Sequence, residues 1–504
     1  MNFATAMYNN GTITTTENGA FAYNTTGQGD LYDLFTQIGA LRTRQTWEIQ
    51  AKFARAFRED PLLATKMMFY AGDIRLGGLG ERGTFRACLR WLAENHPDVV
   101  KKNMPLIPHY NRFDSLFCLC GTECEASMWE LVAAILTDDM SALKRSTEIR
   151  HVPVSLLAKW MPSENATSNE TRLMARRAIA AMRMRPRTYR KMLSALRKHI
   201  GVTERMMSAG EWSKIDYEKV PSYAMHNYSK AFFKHDAARF EAYLKSVKKG
   251  DAKINAGVLY PYNLVEKYFS DSWVGKHVGD CVLASCPNDT VELQWKALPN
   301  YITKPINAVV MADVSGSMRG RPMATSIGLA TYFAQHNTGW YHNKYMTFTD
   351  TPHFVNLPEE CSLYEAVNTV AKAGVGYSTN LARAFEEVLR TACANAIHPK
   401  DMPEMFVVIS DMEIDPYFRP GSRWDFVQTM KARYARYGYK MPKIVMWNVN
   451  ARKDTYLSMS DDVICVSGQS ASTFKTLCAS LEGKTGYDLM LDTLNAPAYD
   501  RVQI

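Results

Sequence analysis

The 504-residue sequence lacks any apolar run that approaches the roughly 18 to 20 residues of a transmembrane helix. Its first residues carry neither a basic region nor an apolar core, so they do not predict a secretory signal. Ten cysteines spread over the chain are too sparse for a disulfide scaffold and are typical of a reducing compartment. These absences together predict a cytoplasmic protein that has no membrane partner.

Motifs of nucleophilic or metal-dependent catalysis are also missing. The eleven histidines form no His-Glu-x-x-His pattern, and no Gly-x-Ser-x-Gly turn is present. Cys118, Cys120 and Cys124 form one irregular cluster without the second cysteine pair of a usual zinc site. Buried thiols are therefore favoured over a zinc site at this cluster. We expect a binding protein and not an enzyme.

The basic stretch 171–203 contains no acidic residue, which bears on the kind of partner the protein binds. The net charge of +9 permits an anionic partner, but residues 171–203 contain ten Lys or Arg and no Asp or Glu. Exposed helices usually mix charges to gain ion pairs, so this composition favours contact with phosphate. A solvated helix face is an equally weighted interpretation. The candidate RNA-binding residues here are Arg172, Arg176, Arg183, Arg187, Arg190 and Lys191, with Trp160 and Tyr189 as candidate stacking partners of bases or core residues.

The spacing of apolar residues divides the chain into four parts. Residues 1–29 are polar and predict an extended arm, and residues 484–504 predict a tail that packs back on the body. Residues 30–290 show helical periodicity between short breakers, which predicts an all-α region of stacked hairpins, a HEAT-like solenoid or ring. Residues 302–483 alternate strands with helices, which predicts a doubly wound parallel sheet. The expected fold is therefore multidomain, an α region followed by an α/β domain.

The predicted α/β domain begins with a short apolar run that ends in a polar loop. Residues 306–312 are mostly apolar, and Asp313-Val-Ser315-Gly-Ser317 follows them directly. Open α/β sheets bind ligands at the carboxyl ends of their strands. Oxygen-bearing side chains at alternate positions of one tight loop can converge on a single point, as ligation of Mg²⁺ requires. The loop therefore predicts a site for Mg²⁺ or another divalent cation.

Two later features add to this prediction. Thr379 lies in a polar loop just before the predicted helix 380–396, and Asp411 ends the predicted strand 405–410. With Asp313, Ser315 and Ser317, these residues resemble the metal-ion-dependent adhesion site of the von Willebrand factor A family. The resemblance implies that the serines and Thr379 ligate Mg²⁺ and that the aspartates act directly or through water. It also implies an open coordination position for water or for the carboxylate of a partner.

The chain as a whole resembles a widespread family that joins a helical N-terminal region to a von Willebrand factor A domain. The segments that carry this resemblance are Thr16-Glu-Asn-Gly-Ala, Asp73-Ile-Arg-Leu-Gly-Gly-Leu-Gly-Glu-Arg, Trp160-Met-Pro-Ser, Tyr189-Arg-Lys-Met-Leu, Trp212-Ser-Lys-Ile-Asp-Tyr-Glu-Lys-Val-Pro-Ser, Ser410-Asp-Met-Glu and Leu494-Asn-Ala-Pro-Ala-Tyr-Asp-Arg-Val.

The chain is more distantly similar to the Ro autoantigen and other TROVE-module RNA-binding proteins. Two segments carry this similarity, Arg75-Leu-Gly-Gly-Leu-Gly-Glu-Arg82 and Ile107-Pro-His-Tyr-Asn-Arg-Phe-Asp114. In those proteins a ring of helices binds structured RNA outside and single-stranded RNA ends in its hole. The resemblance implies RNA as a partner and adds Arg75 and Arg82 as candidate RNA-binding residues, in a predicted turn between helices.

Three functions are compatible with these features. The first is a non-catalytic, TROVE-like RNA-binding scaffold that also carries a Mg²⁺-dependent adhesion site. The second is an assembly scaffold whose metal captures an acidic side chain of a protein partner or of a second copy, without RNA. The third is a hydrolase with Mg²⁺-activated water, which is less favoured because no general base accompanies the predicted ligands.

Overall fold

The computed structural model describes residues 12–147, 149–269, 283–284, 286–302, 305–348, 351–372, 380–416, 426–459, 462–480 and 483–504. None of the helices within these ranges has the length and hydropathy of a membrane-spanning segment. The chain is mixed α/β, with a mostly helical N-terminal region and a C-terminal region built on a six-stranded sheet.

A β-hairpin lies before the first helix, where the sequence predicts an extended arm. Strands β1 (Ile13–Thr15) and β2 (Phe21–Tyr23) pair in antiparallel register. Tyr23 also exchanges backbone hydrogen bonds of 2.9 and 2.8 Å with Tyr456 of the C-terminal region. Strands of three residues are too short to display a period-2 pattern in sequence, so this hairpin was not predictable from its residues alone.

Fourteen helices of the N-terminal region lie in the described part of the chain. They are α1 (Asp30–Phe35), α2 (Thr46–Glu59), α3 (Pro61–Gly72), α4 (Arg82–Asn95), α5 (Pro97–Asn103), α6 (Ile107–Tyr110), α7 (Glu125–Arg145), α8 (Leu157–Trp160), α9 (Asn169–Ala181), α10 (Pro186–Ile200), α11 (Thr203–Ser208), α12 (Ser222–Lys249), α13 (Pro261–Val265) and α14 (Asp289–Lys296).

Local sequence explains where several of these helices begin. Asp60 accepts a hydrogen bond from the Leu63 amide and places Pro61 at the first position of α3, as its sequence predicts. Ser168 caps α9 in the same way. Helix α12 contains a break at Asp236, whose backbone is not helical. The HEAT-like repeat and the ring stay predictions.

The C-terminal sheet has the strand order β5-β4-β3-β6-β7-β8. Its strands are β3 (Ala308–Ala312), β4 (Lys344–Thr347), β5 (Phe354–Asn356), β6 (Met405–Ser410), β7 (Lys443–Asn448) and β8 (Val463–Ser467). All neighbours run parallel except β5, which is antiparallel to β4. The helices are α15 (Arg321–His336), α16 (Leu363–Lys372), α17 (Leu381–Ala394), α18 (Phe426–Arg436), α19 (Thr473–Ser480) and α20 (Gly486–Leu494).

Helices cover both faces of this sheet. Val310 of β3 belongs to a core that also contains residues of α15, whereas its neighbour Val309 packs in a second core with α17 and α18. Strands buried on both faces need continuous apolar runs, and β3 and β6 are such runs. The prediction of a mostly parallel α/β sheet is confirmed. The edge strand β5 and helix α16 are absent from the sequence prediction.

The helical region and the sheet pack directly against each other. Gly39, after α1, lies so close to β8 that an added Cβ would be 2.7 Å from the backbone of Ser467 and Gly468. The Arg44 guanidinium donates to the Ala451 carbonyl at 2.7 Å, beyond the end of β7. The C-terminal tail returns to the helical region, where Lys102 donates to the Ile504 carbonyl at 2.7 Å.

This packing predicts that Gly39→Ala destabilises the protein. The new methyl group would meet main-chain atoms, which cannot rotate away, so we expect a loss of about 1–3 kcal/mol in unfolding free energy. Gly83→Ala is the control, because its Cβ would meet nothing within 4 Å and Ala is favoured in a helix. Urea unfolding followed by circular dichroism measures both. Equal midpoints for the two variants would contradict the close approach at Gly39.

Candidate functional site

Two buried aspartates lie together at one edge of the sheet. Asp313 follows β3 and Asp411 follows β6, and these strands are parallel neighbours. The next strand after β3 in sequence, β4, pairs on its other side, so the strand order reverses between β3 and β6. This reversal point is where open α/β sheets form their ligand crevice. Asp313 is 0% exposed and Asp411 is 1% exposed.

Hydrogen bonds join four of the five residues predicted to bind metal. The Ser315 amide donates to Asp313 Oδ1 at 2.9 Å, and the Ser410 hydroxyl donates to Asp313 Oδ2 at 2.5 Å. The Ser315 and Ser317 hydroxyl oxygens are 3.1 Å apart, and Ser317 donates to Asp411 Oδ1 at 3.3 Å. The four oxygen-bearing side chains thus form one continuous cluster. The fifth predicted ligand, Thr379, lies outside the described residues.

The two carboxylates are held in an unfavourable electrostatic environment. Burial raises the pKa of Asp313 to about 7, and repulsion by the nearby Asp411 adds to this effect. Burial also raises the pKa of Asp411, although Arg452 opposes the rise. Two adjacent acids that resist ionisation are stabilised as anions by a cation between them.

The donor set fits a hard divalent cation. No group of three His, Cys, Asp or Glu side chains suited to a metal occurs in the part of the chain that the structure describes. The cluster instead combines two carboxylates with the hydroxyls of Ser315 and Ser317. These are all oxygen donors, which Mg²⁺ prefers, and Mg²⁺ commonly retains water at its other positions. The four residues would hold such an ion, which would supply a positive charge at the sheet edge.

Three charged residues lie around this cluster, and two of them, Arg452 and Glu17, were not predicted from sequence. Arg452, in the loop after β7, donates from Nη2 to Asp411 Oδ2 at 2.8 Å. Glu413 is 1% exposed, and its carboxylate accepts the Glu17 amide of the hairpin turn at 2.5 Å. Glu17 and Glu413 both fall in segments that carry the family resemblance. Those segments were the available signal, whereas nothing in the local sequence marks Arg452.

A second feature is a large cleft lined mostly by the helical region, with a volume of about 1450 Å³. Its lining contains nine cationic residues, which are Arg42, Arg75, Arg82, Arg112, Lys159, Arg190, Arg197, Arg205 and Arg321. It contains three carboxylates, which are Glu81, Glu164 and Glu204. Aromatic side chains, including Trp160, Tyr223 and Tyr262, also line it. Five of these cations pair with a carboxylate, whereas Arg75, Arg82, Lys159 and Arg197 form no ion pair among the described residues, so the cleft is basic as well as aromatic.

The glycine-rich segment of the cleft wall is held by one buried carboxylate. Asp73 accepts the amides of Arg75, Leu76 and Gly78 at 2.8 to 3.1 Å and the Tyr499 hydroxyl at 3.1 Å. Gly80 then passes the Tyr260 hydroxyl so closely that an added Cβ would be 1.7 Å away. Its φ of +66° also favours glycine.

Arg75 and Arg82 flank this segment in different environments. Arg75 donates to the His109 carbonyl at 2.9 Å, so its side chain is fixed by a neutral acceptor. Arg82 is the first residue of α4, and burial together with the nearby Arg112 and Arg86 lowers its pKa. A concentration of guanidinium groups of this kind is an environment that an anion stabilises.

Arg112 joins the charged and aromatic surfaces of the cleft. It pairs with Asp114, which also contacts Arg86 at 3.0 Å, so one carboxylate serves two guanidinium groups. The Arg112 guanidinium lies over the Trp160 ring at 3.8 Å from its centroid. Trp160 is half-buried and lines the cleft, so it presents both an aromatic face and an adjacent cation.

The structure separates the predicted RNA-binding residues into two groups. Arg75, Arg82 and Arg190 line the cleft, and Arg190 also pairs with Glu164 at 2.5 Å. The others lie on or between α9 and α10 outside the cleft lining, and they are Arg172, Arg176, Arg183, Arg187 and Lys191. Tyr189 is a core residue whose hydroxyl donates to the Pro162 carbonyl at 2.7 Å.

Sequence comparison places the chain in a family. The profile of a domain of unknown function, DUF2828, matches residues 16–111 and 126–305, more than half of the chain. A second domain of unknown function, DUF7788, matches residues 307–488. An uncharacterized protein of Acanthamoeba polyphaga mimivirus is 28% identical over 498 residues, covering 92% of this chain and 84% of its own length. The chain therefore belongs to the DUF2828 family.

Proposed function

We propose that this protein is a non-catalytic RNA-binding scaffold that holds a single-stranded segment in its basic cleft. The observation that carries this proposal is the lining of the cleft, with nine cationic side chains against three carboxylates. Such a surplus of positive charge inside a concave surface favours a polyanion. The cleft volume of about 1450 Å³ exceeds the roughly 300–1,000 Å³ of ordinary small-molecule sites, which favours a polymer.

The aromatic surface of the cleft supports a single strand in preference to a duplex. Unpaired bases stack on aromatic side chains and on guanidinium planes, whereas the bases of a duplex are not available for stacking. The Trp160 ring with Arg112 and the exposed Tyr223 ring in the cleft lining offer such surfaces. Arg82 and Arg75 would contact phosphates beside them.

The exposed basic helices α9 and α10 extend the proposed interface beyond the cleft. Arg176, Arg183, Arg187 and Lys191 are exposed and lie in the stretch that contains no acidic residue. They would contact the backbone of structured RNA. The resemblance to TROVE-module proteins supports this division between a structured segment outside and a single strand inside.

A protein-interaction scaffold is the second candidate function, and the cluster at the sheet edge favours it. Asp313, Ser315, Ser317 and Asp411 offer convergent oxygen donors at the switch point of the sheet. A bound Mg²⁺ would let this edge capture the carboxylate of a partner or of a second copy. This cluster supports a von Willebrand factor A type of domain, which we propose for residues 302–483.

The RNA proposal predicts micromolar or tighter binding of a labelled oligouridine, measured by fluorescence anisotropy. Trp160→Ala should raise the dissociation constant about fivefold or more, because stacking of a base on an aromatic ring contributes roughly 1–3 kcal/mol. Arg82→Glu should raise it about tenfold and flatten its dependence on salt. Arg58→Glu, an exposed residue of α2 outside the cleft, is the matched charge control. Equal affinities for the three variants would refute a binding site in the cleft.

If the exposed face of α9 and α10 contacts structured RNA, its substitution should weaken the binding of a hairpin more than that of a single strand. A variant in which Arg183, Arg187 and Arg190 are all changed to Glu should bind an RNA hairpin with an extended stem much more weakly, because backbone contacts are lost. Its affinity for oligouridine should fall less, since only Arg190 lines the cleft. Gel-shift titrations with both RNAs test this. Unchanged hairpin binding would show that this face is only a solvated surface.

The metal site predicts a stability change in Asp313→Asn. In EDTA the folded Asp313 pKa of about 7 exceeds its ordinary value of 3.8, so wild-type stability should fall as pH rises from about 4 to 7. The variant cannot ionise here, so it should be more stable than wild type at pH 8, by up to about 4 kcal/mol at about 1.4 kcal/mol per pKa unit. Urea unfolding at each pH measures this difference.

Saturating MgCl₂ should then reverse the order of the two proteins. The ion would bind and stabilise folded wild type but not Asp313→Asn, because binding to the native state alone raises stability. An equal response of both proteins to Mg²⁺ would mean that the cluster is not where the ion binds.

A further inference from the structure

The turn of the N-terminal hairpin is fastened to the sheet edge that carries the aspartate cluster. The Thr16 hydroxyl donates to the Ile414 carbonyl at 2.7 Å, and the Asn18 side-chain amide donates to the Glu413 carbonyl at 2.7 Å. The Glu17 amide donates to the Glu413 carboxylate at 2.5 Å. Three consecutive residues of this turn therefore contact the segment that directly follows Asp411.

Arg452 connects this turn to the aspartate cluster through one nitrogen atom. Its Nη2 atom is 2.8 Å from Asp411 Oδ2 and 3.3 Å from Glu17 Oε2. The Nε atom of the same guanidinium is buried and has no hydrogen-bond partner within the described residues. An unsatisfied buried donor costs free energy, so this position of the Arg452 guanidinium is less stable than one in which all its donors are satisfied.

The two oxygens of Asp411 are used differently. Oδ1 accepts the Ser317 hydroxyl at 3.3 Å and the Glu413 amide at 3.2 Å, so it faces the proposed metal ligands. Oδ2 accepts the Arg452 guanidinium. The Asp411 side chain is 0% exposed, whereas Arg452 is 30% exposed and Glu17 is 37% exposed. If the Arg452 guanidinium leaves Asp411, the more exposed carboxylate of Glu17 is therefore close enough to accept it.

We propose that Arg452 is an internal cation that occupies Asp411 when no divalent ion is bound, and that the ion displaces it toward Glu17. This inference rests on the metal site proposed above and assigns its regulation. Two cations competing for one buried carboxylate repel each other, so each weakens the binding of the other. Glu17 lowers the cost of the displacement because it receives the released guanidinium.

The backbone around Arg452 is fixed, so only its side chain needs to move. The Ala451 amide donates to the Ala40 carbonyl at 2.9 Å, and the Ala451 carbonyl accepts the Arg44 guanidinium. These contacts attach the loop after β7 to the helical region. The exchange between Asp411 and Glu17 would therefore be a rotation of one side chain and not a movement of the loop.

The test is titration of the full chain with Mn²⁺, followed by electron paramagnetic resonance of the free ion. Arg452→Gln keeps a hydrogen-bond donor but removes the charge, so it should lower the dissociation constant about tenfold. Glu17→Gln should raise it, because the released guanidinium loses its acceptor. Arg390→Gln is the matched control, since Arg390 is an exposed residue that pairs with Glu387. It should bind Mn²⁺ like wild type.

A second measurement on wild type distinguishes displacement from a general effect of charge. Labelling of Arg452 by phenylglyoxal, followed by mass spectrometry of its peptide, should be faster with saturating Mg²⁺ than in EDTA. An unchanged labelling rate, or an equal or weaker Mn²⁺ affinity in Arg452→Gln, overturns the displacement and leaves the metal site intact. If wild type and Arg452→Gln both fail to bind Mn²⁺, the proposed metal site fails and this regulation fails with it.

Discussion

The structure depends on two carboxylates that are kept together against their mutual repulsion. Parallel pairing of β3 with β6 places Asp313 and Asp411 at neighbouring strand ends, where both are almost fully buried. Burial and proximity each disfavour a second negative charge. The surrounding Ser315, Ser410 and Arg452 supply hydrogen-bond donors that reduce this cost without removing it. A sheet edge of this kind gains stability when it binds a cation, which is a physical reason to expect function there.

The basic cleft is the converse case, because it holds positive charges close together. Packing against Asp73 and Tyr260 fixes the wall that carries Arg75 and Arg82, so their charges cannot spread apart. The two sites are also adjacent in the chain, because the loop that carries Asp313, Ser315 and Ser317 leads into α15, whose first residue, Arg321, lines the cleft.

Sequence alone predicted the elements whose signals are local. A few consecutive residues predict each of these elements: the strand before Asp313, the polar loop after it and the acid that follows β6. The charged partners could not be predicted in this way, because Arg452 lies 41 residues from Asp411 and Glu17 lies 396 residues from Glu413. Arg112 lies in a segment that carries the TROVE similarity, but its position over the Trp160 ring is visible only in the structure. Local patterns specify the strands, whereas tertiary packing decides which charges meet.

The proposed RNA-binding scaffold is tested most directly by locating where RNA contacts the protein. Ultraviolet crosslinking of bound oligouridine to the full chain, followed by mass spectrometry of the adducts, locates the contact without any substitution. Binding of RNA in the cleft predicts adducts on cleft peptides that contain Trp160 or Tyr223. Adducts confined to peptides outside the cleft, or none at saturating RNA, would contradict it.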